Sequence, residues 1–287
     1  ASFHSALPYL PLDTFVKKVQ GHAFLSKTNL EAEKKHFLFA KNAKKMSAKL
    51  LLLALVASLF CVFTSATSSA SSTVLDDYVY KPDPLFSYQV LKTYQSPVVY
   101  TYILNMTSQG WLSADQVTRT TWWHYIQIYV PQERNLQTTA MLLIDGGSNS
   151  NRVPTNDTNY MKIATLTQSI VVILGQVPNE PLTFLNDTAK SRTEDGIIAF
   201  CWRKFMETGD SNWIVRLPMV KAAVRAMDVA QEVVKQYQYP HTIEKFVVVG
   251  ASKRGWTTWL TAAVEHDKRV VAFVPIVIDV VNIRSVF

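Results

Sequence analysis

The chain is short of the residues that build metal and redox centres. It holds two cysteines in 287 residues, with no paired Cys and no H-E-x-x-H, so neither a zinc site nor a disulfide framework is written into it. None of its nine glycines falls into a G-x-G-x-x-G or Walker pattern, which removes the usual signals for a dinucleotide or nucleoside triphosphate. No metal and no cofactor is expected. Internal repeats, low-complexity tracts and heptads are absent as well. The apolar run Leu50–Phe63 is 14 residues long, broken by Ser58, and falls short of the ~20 that a membrane-spanning helix needs. No stable membrane insertion is therefore expected. A surplus of charge is missing from most of the chain: residues 1–45 carry eight Lys against Asp13, Glu31 and Glu33, Lys49 adds one more, and only +1 of the net +7 remains for residues 71–287. The basic balance belongs to the first 49 residues and gives no support to a nucleic-acid partner.

What is present divides into four stretches. Residues 1–45 are Lys-rich, have no sustained periodicity and precede the first Met, Met46. They read as translated upstream sequence, the alternative being a disordered basic arm for nucleic acid or acidic lipid. Residues 46–70 read as a secretory signal peptide. Lys49 supplies its positive start, Leu50–Phe63 its apolar centre, and Ser68-Ser69-Ala70 small residues for cleavage. A secreted, extracellular protein is expected. Sequons at Asn105, Asn156 and Asn186, each expected in or beside a loop, are candidate glycosylation sites that agree with export. Cys201, flanked by Phe200 and Trp202, is expected to be buried. Residues 71–95 read as an irregular N-terminal arm, and 96–287 as one domain large enough for a single core.

Within that domain the pattern alternates. Strands are expected near 98–105, 120–130, 139–145, 169–175, 244–249 and 270–278, and helices near 157–168, 192–207, 216–237 and 253–265. Alternation of this kind predicts an α/β fold, a mostly parallel sheet flanked by helices with two early strands as an antiparallel lead-in. The stretch that organises it is EKFVVVGASKRGWTTWLTAAVEH, Glu244–His266. A β-branched run ends at Gly250-Ala251-Ser252 and turns at once into a helix, the recipe for a nucleophile elbow. Arg254 holds the usual second Gly position and Gly255 comes one residue late. Two other G-x-S triplets, at Ser148 and Ser211, lack one flank or the other. The bland alternative is a Ser that caps a helix after a buried strand.

Four segments then resemble one family. They are Val247–Asn282 (VVVGASKRGWTTWLTAAVEHDKRVVAFVPIVIDVVN), Thr118–Pro131 (TRTTWWHYIQIYVP), Met141–Asn149 (MLLIDGGSN) and Glu194–Asp228. Together they are similar to the PhoPQ-activated pathogenicity-related family, which includes the secreted autocrine proliferation repressor proteins. The resemblance spans roughly 78–287 and implies an α/β-hydrolase-like fold.

An elbow serine needs an oxyanion hole, a base and an acid that orients the base. Asp145-Gly146-Gly147 follows a strand where such folds keep the oxyanion loop, so the Gly147 and Lys253 amides are the expected donors, against an ordinary Gly-Gly turn. No base is in place. His266 lies 14 residues beyond Ser252 on the same helix, roughly 20 Å away, and His124 and His241 read as packing or surface residues. Asp279, at the end of AFVPIVID, is a weak candidate acid, or simply caps the next segment. That strand is apolar on both faces and is expected to be interior, so a C-terminally incomplete domain is expected, with base and acid encoded beyond Phe287. Either Lys253 and Arg254 attract an anionic substrate group, or Arg254 ties into a carboxylate as scaffold. Two functions stay open: a serine esterase or peptidase acting on a small-molecule or peptide acyl substrate through Ser252, or a signalling protein that binds a cell-surface receptor.

Overall fold

The structure is a computed structural model that describes residues 72–132, 137–185, 187–188, 191–237, 242–265 and 268–278. Residues 1–70, which hold the expected leader and signal peptide, and Asn186, His241, His266 and Asp279 lie outside the described residues. No described helix is long and apolar enough to cross a membrane.

Seven strands form one sheet: β1 (Ser87–Gln95), β2 (Val99–Gly110), β3 (Thr121–Pro131), β4 (Thr139–Ile144), β5 (Val171–Leu174), β6 (Lys245–Ala251) and β7 (Val270–Ile276). Their order across the sheet is β1-β2-β3-β5-β4-β6-β7. Five helices accompany them: α1 (Val74–Tyr80), α2 (Thr158–Thr167), α3 (Glu194–Thr208), α4 (Arg216–Gln236) and α5 (Lys253–Glu265). The fold is α/β and α/β-hydrolase-like, but the sheet is mixed and not mostly parallel. β1–β2, β2–β3 and β3–β5 are antiparallel, whereas β5–β4, β4–β6 and β6–β7 are parallel.

The expected irregular arm is ordered into α1 and β1. Thr73 caps α1 through a reciprocal box with Asp76, which satisfies donors at the helix start. β1 adds a third antiparallel strand where two were expected. α1 is fastened by Lys221, which is 3% exposed and donates to the carbonyls of Tyr78 (3.3 Å) and Lys81 (2.7 Å). The overlying α1 makes the Lys221 face of α4 interior.

The period-two pattern of β3 and β4 explains the core. Trp122, Ile126, Ile128, Ala140, Leu142 and Ile144 point to one side, onto Met219, Ala223, Ala226 and Met227 of α4. The opposite face, with Tyr129, Val171 and Ile173, is covered by Ala164 of α2. Cys201 is buried, as its aromatic neighbours predict, and burial pushes its thiol up to about 12. β7 lies at the edge of the described sheet with Val271, Phe273, Val274 and Ile276 exposed. The neighbour expected beside it would fall outside the described residues. Asn105 sits inside β2 and not at a loop, half-buried, with its Oδ1 enclosed. Asn156 does lie in a loop, before α2, and accepts a hydrogen bond from the Thr101 hydroxyl at 2.8 Å.

Order and direction together locate the site. The connection from β4 leads to β5 on one side, while that from β6 leads to β7 on the other. The strand order therefore reverses between β4 and β6, and a crevice opens at their carboxyl ends.

Candidate active site at the β4–β6 switch point

Both sequence candidates sit at that crevice. β6 ends at Ala251, α5 begins at Lys253, and Ser252 alone makes the turn with φ +54°. A non-glycine residue in the left-handed region stores strain, and such residues cluster at functional turns. The Ser252 N–H donates to the Ile276 carbonyl at 2.8 Å and its own carbonyl accepts from Trp256 N–H at 3.1 Å. The backbone is thereby fixed on both sides. The residue itself is exposed, at the positive end of α5.

The glycines show why the motif slips by one. A Cβ at Gly250 would lie 2.6 Å from the Arg254 carbonyl oxygen and 2.7 Å from the Thr258 hydroxyl. A Cβ at Gly255 would lie 2.3 Å from Ile278 Cγ2 and 3.1 Å from the Ile276 carbonyl oxygen. The close approach of α5 to the β7 end falls at Gly255, so the second glycine is needed there. Position 254 is free to carry a long side chain.

The loop after β4 faces the elbow across the strand pair, because Ile144 is in register with Gly250. Gly147 has φ +124°, and a Cβ there would lie 2.7 Å from Asn151 Nδ2. The two amides of this loop differ. Gly146 N–H is taken up by the Asp145 carboxylate at 2.7 Å, whereas Gly147 N–H has no hydrogen-bond partner among the described residues. Of the pair, Gly147 can present a donor to a substrate oxygen. The Lys253 amide opens the first turn of α5, where N–H groups have no intrahelical acceptor.

Charge surrounds the turn, most of it in ion pairs. Arg254 forms a fork with Glu194 (Nη2–Oε1 2.6 Å, Nη1–Oε2 2.9 Å), and its Nε–H donates to the Val177 carbonyl. Lys253 Nζ reaches Glu194 at 2.6 Å and Asp195 at 3.2 Å. Glu194 has φ +50°, and its N–H donates to Glu180 at 2.6 Å. Burial pulls the Glu194 carboxyl up, but Arg254 and Lys253 together hold it well below the usual carboxylate range. Burial and then the neighbouring Glu194 charge push Glu180 up. Arg216, from the start of α4, donates to the Lys253 carbonyl at 3.0 Å and lies over the Trp256 ring; desolvation pushes it down to about 10. Of the two roles open to Lys253 and Arg254, the structure shows the second, ties into carboxylates. Sequence reasoning missed Glu194, Glu180 and Arg216. The signal was the adjacent pair Lys253-Arg254, since part-buried cations require anions, but nothing in it said which.

No described histidine serves Ser252. His124 is fully buried in β3, where Nδ1–H donates to the Gly175 carbonyl and Nε2 accepts from the Ser108 hydroxyl, each at 3.0 Å. Among the described residues no group of three or more His, Cys, Asp or Glu could hold a metal ion.

Comparison with known proteins was made against this geometry. The family described as PhoPQ-activated pathogenicity-related protein matches residues 75–287. Autocrine proliferation repressor protein A of Dictyostelium discoideum is 42% identical over 236 residues, which cover 81% of this chain and 44% of that protein. Among solved structures, acetyl xylan esterase 1 from Thermoanaerobacterium sp. JW/SL YS485 is 17% identical with a TM-score of 0.40, covering 68% of this chain and 56% of its own. The acetyl xylan esterase from Paenibacillus sp. R4 is 12% identical with a TM-score of 0.41, covering 70% and 56%. The chain thus spans less than half the length of the curated relative and little more than half of these esterases.

Proposed function

The chain belongs to the PhoPQ-activated pathogenicity-related protein family, and from that premise we propose that it is the elbow-bearing part of a secreted serine hydrolase. The observation that carries this reading is Ser252, an exposed hydroxyl on a φ +54° turn between β6 and α5. A non-glycine residue in that conformation carries strain, which is concentrated at functional turns.

In the reaction, Ser252 Oγ bonds to the acyl carbon of an ester or amide as its proton passes to a base. The carbonyl oxygen becomes an oxyanion held by the Gly147 and Lys253 amides. Collapse breaks the bond to the leaving alcohol or amine, which takes up the proton, and water then releases the acid and regenerates the hydroxyl. The base lies outside the described residues. The substrate is a small-molecule or peptide acyl compound, and the cations beside Ser252 are neutralised by Glu194 and Asp195, so an anionic substrate is not favoured.

A fluorophosphonate probe on full-length protein tests the reading: labelling that disappears in Ser252→Ala is expected. A second reading is favoured by the name of the Dictyostelium relative, an autocrine proliferation repressor. On that reading the scaffold binds a cell-surface receptor and performs no chemistry. Absent labelling, with growth repression intact in Ser252→Ala, would establish it in place of the first.

A further inference from the structure

We propose that Arg254 is a positioning residue, clamping the Gly146–Gly147 rim to the elbow through its fork with Glu194. The inference rests on the hydrolase reading for its catalytic consequence, though not for the clamp itself.

Arg254 stands two residues after Ser252, where elbows ordinarily keep a glycine. It is only 12% exposed at the side chain and runs back over the sheet edge. Its Nη2 lies 2.6 Å from the point a Cβ on residue 146 would occupy, so the guanidinium rests directly on the rim. From there it joins two more segments to its own helix. Nε–H donates to the Val177 carbonyl in the loop after β5, both Nη atoms bind Glu194 at the start of α3, and its own backbone belongs to α5.

The connection to the rim is indirect as well as direct. Gln176 N–H donates to the Gly146 carbonyl at 2.7 Å, and Val177 N–H to the Asp145 carbonyl at 3.1 Å. These bonds join the loop after β4 to the loop after β5. Arg254 is the side chain that joins both to the elbow. If it lets go, the rim stays attached to β5 and, through Ile144 opposite Gly250, to β6, but the guanidinium no longer fixes the Gly146–Gly147 backbone against the elbow. For an oxyanion donor the distance from Ser252 is the function, since a misplacement of ~1 Å costs on the order of 100-fold in rate.

The chemistry explains the choice of residue. Three directions must be satisfied at once: two carboxylate oxygens in one plane and a carbonyl to the side. A guanidinium offers that planar fork with a third N–H, and an ammonium on a flexible stem does not. Glu194 is held for the same purpose, in a left-handed conformation (φ +50°) with its N–H tied to Glu180.

The test uses full-length protein and two readouts: the second-order rate of fluorophosphonate labelling at Ser252, and amide hydrogen exchange across residues 146–151. Arg254→Ala would strand Glu194, so the deciding variant is Arg254→Met with Glu194→Gln, which leaves neither charge unpaired. Gly146→Ala is the independent probe, because its methyl displaces the guanidinium. Both are expected to slow labelling at least tenfold and to speed exchange in 146–151 at least tenfold, with β2 and β3 unaffected. Arg254→Lys is expected to recover less than half of the labelling rate. Unchanged exchange in 146–151 overturns the clamp, and faster exchange with labelling at the wild-type rate overturns the positioning role of Arg254. If the wild-type protein takes no label while exchange still rises in the variants, the clamp stands and the hydrolase reading falls.

Discussion

Two serines in this molecule each hold half of what a hydrolase needs. Ser108 has a histidine, with His124 Nε2 3.0 Å from its hydroxyl, but both residues are 0% exposed. Ser252 has access, a strained turn and a helix start, but no described histidine near it. A search for Ser–His distances alone would choose Ser108, which is sealed from any substrate. Around Ser108 every partner is neutral: Gln109, the Pro218 and Gly175 carbonyls, and an imidazole that desolvation holds down at about 4. Around Ser252 the neighbours are ions, with Lys253 and Arg254 held by Glu194 and Asp195, and Arg216 held by the Lys253 carbonyl and the Trp256 ring. Neutral hydrogen bonds suit a sealed interior, where a charge is costly to keep. Paired charges suit a rim that must stay open to a substrate. Accessibility, backbone strain and local polarity set the proposed nucleophile apart from the buried serine; proximity to histidine does not.

The contrast can be broken most sharply by substituting each hydroxyl. Ser252→Ala is expected to reduce fluorophosphonate labelling by more than ~100-fold, while Ser108→Ala leaves labelling within about twofold. Ser108→Ala instead lowers unfolding free energy by about 1–3 kcal/mol in urea titration, because His124 Nε2 is left buried and unpaired. Next in size is an acid-side effect. His124 titrates at about 4 when folded, against 6.5 ordinarily, so the native state binds fewer protons than the unfolded chain between those values. Its contribution is complete above pH 6.5 and is lost as pH falls towards 4, on the order of 3 kcal/mol in all. Comparing wild type with His124→Asn at pH 7 and 4.5 should show the slope flatten.

At the rim, Gly250→Ala forces a methyl against a backbone oxygen 2.6 Å away and should cost about 2–3 kcal/mol. Gly196→Ala, whose Cβ would meet nothing closer than 3.8 Å in α3, should stabilise by about 0.5–1 kcal/mol; thermal melts of the two settle the pair. The smallest effect is of opposite sign to that of His124. Glu180 is raised when folded, so its native carboxyl keeps a proton that the unfolded chain has released, and stability declines as pH rises above the ordinary carboxylate range. Glu180→Gln should remove that decline.

How far the sequence could be read followed the range of the interactions. The elbow was legible because Phe246–Val249, Gly250 and the Trp256 helix are contiguous, and because a single serine between strand and helix leaves few conformations. The parallel half of the sheet was legible from the alternation of strand and helix. β1 was not, because SYQVLKTYQ is polar on one side, and only its pairing with β2 makes it a strand. Nor was Lys221 as a buried residue, since α1, which covers it, lies some 140 positions away in sequence. Glu194 illustrates the same limit at the site: its fork with Arg254 spans 60 residues, and no local pattern joins the two.

The fastening of α1 has a practical consequence for anyone handling this protein. Fusion partners joined ahead of Ser72 leave the helix seated, but a protease nick after Tyr80 would uncouple a carbonyl that Lys221 depends on, along with the Tyr80–Glu265 hydrogen bond. An ammonium left with the Lys81 carbonyl alone would draw water into the layer beneath, so a preparation trimmed by a few residues too many should lose solubility without any change at the elbow.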